Sequence, residues 1–280
     1  MHEAPSRRFS LGLLDVPVEV VCDDPALGER LAICYARSFR PEREHGGLGG
    51  GLTAELRSTA TGWRTVIDER DDRELEDPIE AVRAFNHELM HAVMLRRREL
   101  YYVHAAVVEW HRSGILMPGL SQAGKSTLAL AFVEAGARFA SDELLAYDRT
   151  RRVARAFPRA PKIRDVCVGY FPGREEAFVG TGEGRFLPFD AGGIEVAEET
   201  RVRIVLLPRW DPEVDGVRLE PVSAGKALLE LAASSLNFGT HRTQSLDFLT
   251  DLVSGARAYG ARWSDPHAVV RAVAEAEELA

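Results

Sequence analysis

Three features of the chain predict an α/β fold: short apolar runs bounded by turn residues, longer helical patterns between them, and one place where strand, loop and helix follow without a gap. There, Gly114-Ile115-Leu116-Met117-Pro118 is an apolar run suited to a buried strand. Residues 127–135 are strong helix formers closed by Gly136. Between them stands Gly119-Leu120-Ser121-Gln122-Ala123-Gly124-Lys125-Ser126-Thr127, a complete G-x-x-x-x-G-K-S phosphate-loop pattern.

The elements before the loop read as a small α+β subdomain over residues 1–95. Val16–Cys22 has strand character, and residues 25–39 form an amphipathic helix with Leu27, Leu31, Ala32 and Cys34 on one face. A glycine-rich loop is expected over residues 46–51. Leu52–Ser58 and residues 63–68 then flank Ala60-Thr61-Gly62 as a hairpin. The charged run 68–80 reads as a solvated loop and first helical turn, leading into a helix over 78–98.

A second domain, residues 96–280, opens with a strand at Tyr101–Trp110, a turn, the strand before the loop, the loop and its helix. A short strand at 138–142 leads into another at 144–147. Residues 151–157, a proline-rich connection and a strand at 202–207 follow. Two helices are predicted at 224–237 and 244–259, and a last one opens at Asp265-Pro266.

With 280 residues, 45% of them hydrophobic, the chain can bury a sizeable core. A net charge of −8 argues against general attraction to nucleic acid or to an anionic membrane. Cys22, Cys34 and Cys167 are far apart and lack a C-x-x-C pair, which suits buried thiols better than disulfides or zinc. Ser6-Arg7-Arg8-Phe9-Ser10-Leu11 has the outline of a twin-arginine export signal, but Asp15 and Pro17 interrupt the apolar stretch it needs. Nowhere do eighteen apolar residues run together, so no membrane span is expected and a cytoplasmic location is.

The chemistry starts at the loop. Glycine at 119 and 124 lets the backbone turn tightly and aim N–H groups at phosphate oxygens, with the helix dipole adding positive potential. Lys125 then reaches the outer phosphates and Ser126 faces a magnesium ion. Only three of the 35 basic residues are lysines, yet the loop has one. From Lys125 a helix of roughly 16 Å and a strand of roughly 16 Å return the chain to its starting edge. That sets Asp142 and Glu143 near the loop, where a carboxylate can hold magnesium or take a hydroxyl proton, or else merely solvate a turn. Asp211, at the end of an apolar strand, competes for the magnesium role, although Pro208 and Pro212 argue for a turn there. His87-Glu88-Leu89-Met90-His91 matches H-E-x-x-H, a zinc-peptidase pattern. No third ligand stands at a recognised spacing, and Val82, Phe85, Leu89 and Val93 make the same helix a packing helix.

Val103-His104-Ala105-Ala106-Val107-Val108-Glu109, the loop, and Phe139-Ala140-Ser141-Asp142-Glu143 together resemble the core of HPr kinase/phosphorylase, where a strand histidine, a phosphate loop and an acidic pair occur in this order. The match covers residues 101–148. Pro158-Arg159-Ala160-Pro161-Lys162, residues 232–242 and the C-terminal helices look, more loosely, like the branch of HPr-kinase-related proteins with a different N-terminal region. The resemblance implies a P-loop kinase core related to ATP-dependent phosphoenolpyruvate carboxykinase. It makes Asp142 the general base, Glu143 a magnesium-side carboxylate, His104 the residue tuning that base and Arg242 a stabiliser of the transferred phosphoryl group. Read from the residues alone, His104 is a strand histidine packed among Val103, Ala105 and Ala106, and Arg242 an exposed arginine leading a helix. The family's downstream glycine-rich signature has no match over residues 163–171, and Glu143 stands where that family has aspartate. HPr itself is therefore not implied as substrate.

The expectation is an ATP- and Mg²⁺-dependent kinase acting on a hydroxyl of a peptide, protein or small molecule. A nucleotide-regulated binding protein without transfer activity and a zinc metallopeptidase are the alternatives. Monomer and homo-oligomer both remain open.

Overall fold

The computed structural model describes residues 6–40, 51–180 and 184–278. It is a mixed α/β structure with several sheets, divided into two compact units, Met1–Arg98 and Glu99–Ala280. The division falls after Arg98, and the long helix of the first unit runs to Arg96 with Arg97 as its C-cap. No helix among the described residues is long and apolar enough to cross a membrane.

The first unit is a five-stranded sheet in sequence order: β1 (Arg7–Leu13), β2 (Val16–Cys22), β3 (Leu52–Ser58), β4 (Trp63–Ile67) and β5 (Arg70–Leu75). Only the β2–β3 pair is parallel. A parallel pair needs a crossover, and it contains helix α1 (Pro25–Cys34), opened by Asp24, whose carboxylate accepts from the N–H groups of Ala26 and Leu27 at 2.9 and 3.1 Å. Helix α1 stops at Cys34, with a 3₁₀ turn at Ala36–Ser38, short of the single helix expected to residue 39. Helix α2 (Pro78–Arg96), capped by Asp77, buries Val82, Phe85, Leu89 and Val93 along one stripe and packs on β3 and β4.

Two strands here depart from the sequence reading. Residues 7–11 of the twin-arginine outline belong to β1, and residues 70–75 of the charged run 68–80 are β5. Charged side chains suit an edge strand because they discourage further pairing. The expected loop at 46–51 lies outside the described residues up to position 50. The three cysteines are free thiols; burial pushes Cys22 up to about 11.

The second unit carries β6 (Tyr101–Trp110), β7 (Ser113–Pro118), α3 (Lys125–Glu134), β8 (Arg138–Ser141), β9 (Leu144–Asp148) and β10 (Val153–Arg155). A small hairpin, β11 (Lys162–Ile163) with β12 (Arg185–Phe186), then the turn α4 (Phe189–Gly192) follow. The chain ends with β13 (Glu199–Thr200), β14 (Val202–Trp210), β15 (Val217–Pro221), α5 (Ala224–Ala233), α6 (Phe238–His241), α7 (Gln244–Val253), β16 (Arg257–Trp263) and α8 (Pro266–Glu278).

The main sheet runs β13-β10-β9-β6-β7-β14-β16-β15, with β8 also paired to β6. β7, β14 and β16 are parallel; β6 is antiparallel to β7 and to β8, so β7 and β8 point the same way across it. Alternate residues of β6 face opposite sides. Tyr101, Val103, Ala105 and Val107 join a core with Ala227, Leu231, Phe248 and Leu249 of α5 and α7. His104 and Ala106 therefore face the other side, where α3 packs on β6 and α8 on α3.

Sequence reading missed β15 and took the start of β16 as the end of a helix. The break is at Ser254-Gly255, where Gly255 has φ 78. It also stopped β14 near Pro208, whereas the strand continues to Trp210. Pairing with β7 ends at Val205 while pairing with β16 runs through Trp210, so the missing N–H of Pro208 interrupts no ladder to β7.

Candidate active site

The C-terminal ends of β7 and β8 converge on the same stretch of β6. Pro118 is the register partner of Ala105, Ser141 that of Val107, and the Ala105 N–H donates to the Glu143 carbonyl at 3.3 Å. The loop after β7 and the turn after β8 are thereby brought side by side, with His104 next to them in the strand between.

Within the loop, Gly119 and Gly124 have φ of 151° and 90°. Gly124 is glycine for a second reason. A Cβ there would overlap Cζ2 of Trp263 and lie 3.1 and 3.2 Å from Cη2 and Cε2. Trp263, at the end of β16, is 1% exposed, and its indole N–H has no partner among the described residues. Leu120 is 74% exposed, Ser121 and Gln122 are exposed, and Gln122 adopts φ 71. Lys125 and Ser126 open α3, while Thr127, one residue further, is buried.

Lys125 is 6% exposed and donates from Nζ to the carbonyls of Gly119 and Leu120 at 2.8 and 2.9 Å. Burial pushes its ammonium down to about 8, against the opposing pull of Asp142. Asp142 is 5% exposed and accepts from the Lys162 N–H at 3.1 Å. The turn carrying it is fixed by Ser141, whose Oγ accepts from the N–H groups of Glu143 and Leu144 at 3.3 and 3.0 Å. The Glu143 carboxylate forms an ion pair with Arg159. Burial, then the charges of Lys125 and Arg159, push the His104 imidazole down to about 4, which leaves it neutral near pH 7.

The structure thus brings together the loop residues 119–127, Lys125, Asp142, Glu143 and His104. Sequence reasoning gave no role to Arg159 or Trp263, because both reach the site through tertiary pairing. Arg242 follows helix α6. It is exposed between α6 and α7, in a segment that follows β6 toward its start: Ser234 accepts from the His104 N–H, Leu236 donates to Tyr102, and His241 Nε2 lies 3.3 Å from the Leu100 carbonyl.

Asp211 is engaged in a turn. Its carboxylate accepts from Arg262 Nε at 3.1 Å and from the Glu213 N–H at 3.0 Å, and Arg262 above all holds it below the usual carboxylate range. On α2, His87 and His91 are exposed, and His87 Nδ1 lies 3.2 Å from Glu88 Oε1. Among the described residues no group of three or more His, Cys, Asp and Glu side chains is arranged to hold a metal ion.

No family model matches this chain, and no curated protein matches it. Among solved structures it is similar to the Hpr(Ser) kinase/phosphatase from Coxiella burnetii, at 14% identity over 64% of this chain and 96% of that one, with a TM-score of 0.32.

Proposed function

We propose that the second unit is a phosphate-loop kinase that uses ATP and Mg²⁺ to phosphorylate a hydroxyl acceptor. The observation that carries this reading is the buried Lys125 ammonium at a glycine-flanked loop, with the buried Asp142 carboxylate acting on it from the neighbouring turn. The loop fits a polyphosphate: left-handed Gly119 and Gly124 let the backbone curve, α3 begins at the loop, and Lys125 stands at its first turn.

In this reading Lys125 exchanges its two carbonyl partners for phosphate oxygens, and the loop N–H groups, from Gly119 to Thr127, orient the nucleotide. Mg²⁺, when bound, neutralises phosphate charge, with Ser126, Asp142 and Glu143 as its candidate contacts. Asp142 takes the proton of the acceptor hydroxyl, and neutral His104 steadies its protonation state. Arg242, and Arg159 through its ion pair beside the acidic turn, are the guanidinium groups that would meet charge on the transferred group. The acceptor is a serine of a peptide or protein, or a hydroxyl of a small molecule.

The test is incubation with a cell extract and γ-labelled ATP, followed by identification of the labelled species. Asp142→Asn should keep ATP affinity near that of the parent and lower transfer by roughly 10²–10⁴. Transfer at the parent rate by both Asp142→Asn and Glu143→Gln would exclude this carboxylate pair. ATP binding with no labelled species under any condition would favour the nucleotide-regulated binding protein.

A further inference from the structure

A concave feature opens where β13 runs into β14. It is a cavity of about 140 Å³ that shares no lining residue with the loop site. Three arginines line it, Arg152, Arg201 and Arg203, against one carboxylate, Asp251.

Asp251 is already shared. It pairs with Arg149 at 2.6 Å and with Arg152 at 3.3 Å. Neither Arg201 nor Arg203 forms an ion pair with any described residue. The positive charge here is thus in excess, within a chain of net charge −8. Backbone geometry accounts for the convergence. The ladder from β14 to β7 steps from Val202↔Gly114 to Ile204↔Ile115, leaving Arg203 as the extra residue of a bulge, a device that re-aims a side chain. Arg152 sits at φ 56 in the tight turn between β9 and β10. Ser254, after α7, adds a hydroxyl to the lining.

We infer that this cavity binds a small phosphate-bearing molecule, held by the guanidinium forks of Arg201 and Arg203. A guanidinium offers paired N–H donors that match a phosphate bidentately, and two unpaired forks suit a multiply charged oxyanion. The inference is independent of the proposed transfer reaction.

Calorimetric titration with inorganic pyrophosphate tests it. Lys125→Ala removes the loop's main phosphate ligand and should leave one pyrophosphate site. Adding Arg201→Gln and Arg203→Gln to that variant should weaken the remaining site by roughly tenfold or more. These exposed substitutions should leave folding intact. The pair Arg201→Lys and Arg203→Lys, which keeps charge but loses the fork, should also lose affinity. Absence of pyrophosphate binding in Lys125→Ala, or unchanged affinity in either arginine pair, would overturn the inference.

Discussion

Gly124 and Trp263 are in direct contact: the edge of the buried indole occupies the space a side chain at position 124 would need. Positive φ at Gly124 adds a second barrier. Gly124→Ala should therefore cost about 2–4 kcal/mol, from left-handed strain and overpacking together. In a Trp263→Phe background the overpacking part is relieved and the cost should fall to about 1–2 kcal/mol. Thermal unfolding of the four proteins in this cycle checks it, and equal losses in both backgrounds would contradict the contact.

Lys125, held near 8 rather than 10.5 by burial, should make the proposed nucleotide binding pH-dependent. Between those values the unfolded chain holds more proton than the folded one, so this group makes stability rise with pH across that window. A bound polyanion favours the ammonium. ATP binding should therefore take up about one proton at about pH 9, and almost none at pH 7, with affinity falling as pH climbs above 8. Calorimetry in two buffers of different ionisation heat reads the uptake directly; no uptake at the higher pH would count against a buried lysine at the anion site.

His104 is held near 4 by burial and by two neighbouring cations. Its unfolded value is near 6.5, so the folded protein should lose stability as pH falls from about 6.5 to 4, where the unfolded chain takes up the proton first. Arg159→Gln removes one cation and should raise the His104 value, while burial keeps it below the ordinary range. Imidazole NMR titration follows this. An unchanged value in that variant would separate Arg159 from the site.

The H-E-x-x-H match should bind no stoichiometric zinc, since both imidazoles are exposed on α2 and Glu88 faces His87. Elemental analysis of the parent, His87→Ala and His91→Ala is expected to give the same low zinc content in all three. One zinc per chain, lost in both variants, would revive the peptidase reading.

How much of this was legible in the sequence depended on whether the local signal was itself sufficient. β7, the loop and α3 form one continuous pattern, and the Asp24 and Asp77 caps with following prolines mark α1 and α2 plainly. The missed strands β1 and β5 have a common cause. Leu14-Asp15 and Asp68-Glu69 form two-residue turns with both φ positive, a geometry usually announced by Asn-Gly or Asp-Gly, so the hairpins ending in β1 and β5 left no turn signature. Pro208 misled for the opposite reason, as a breaker tolerated where its strand has lost one neighbour. In the site, the acidic turn follows from chain length after Lys125. Arg159 and Trp263 required knowing that the 158–162 segment bonds back to Asp142 and Glu143, and that β16 ends at the loop.

The proposed function rests on the loop at residues 119–127 binding the phosphates of a nucleotide through Lys125. Equilibrium binding of ATP with Mg²⁺ to the parent and to Lys125→Ala tests it most directly. Loss of a buried charge-assisted contact should weaken binding by roughly tenfold to a hundredfold or more. A folded Lys125→Ala protein that bound ATP as tightly as the parent would contradict the account.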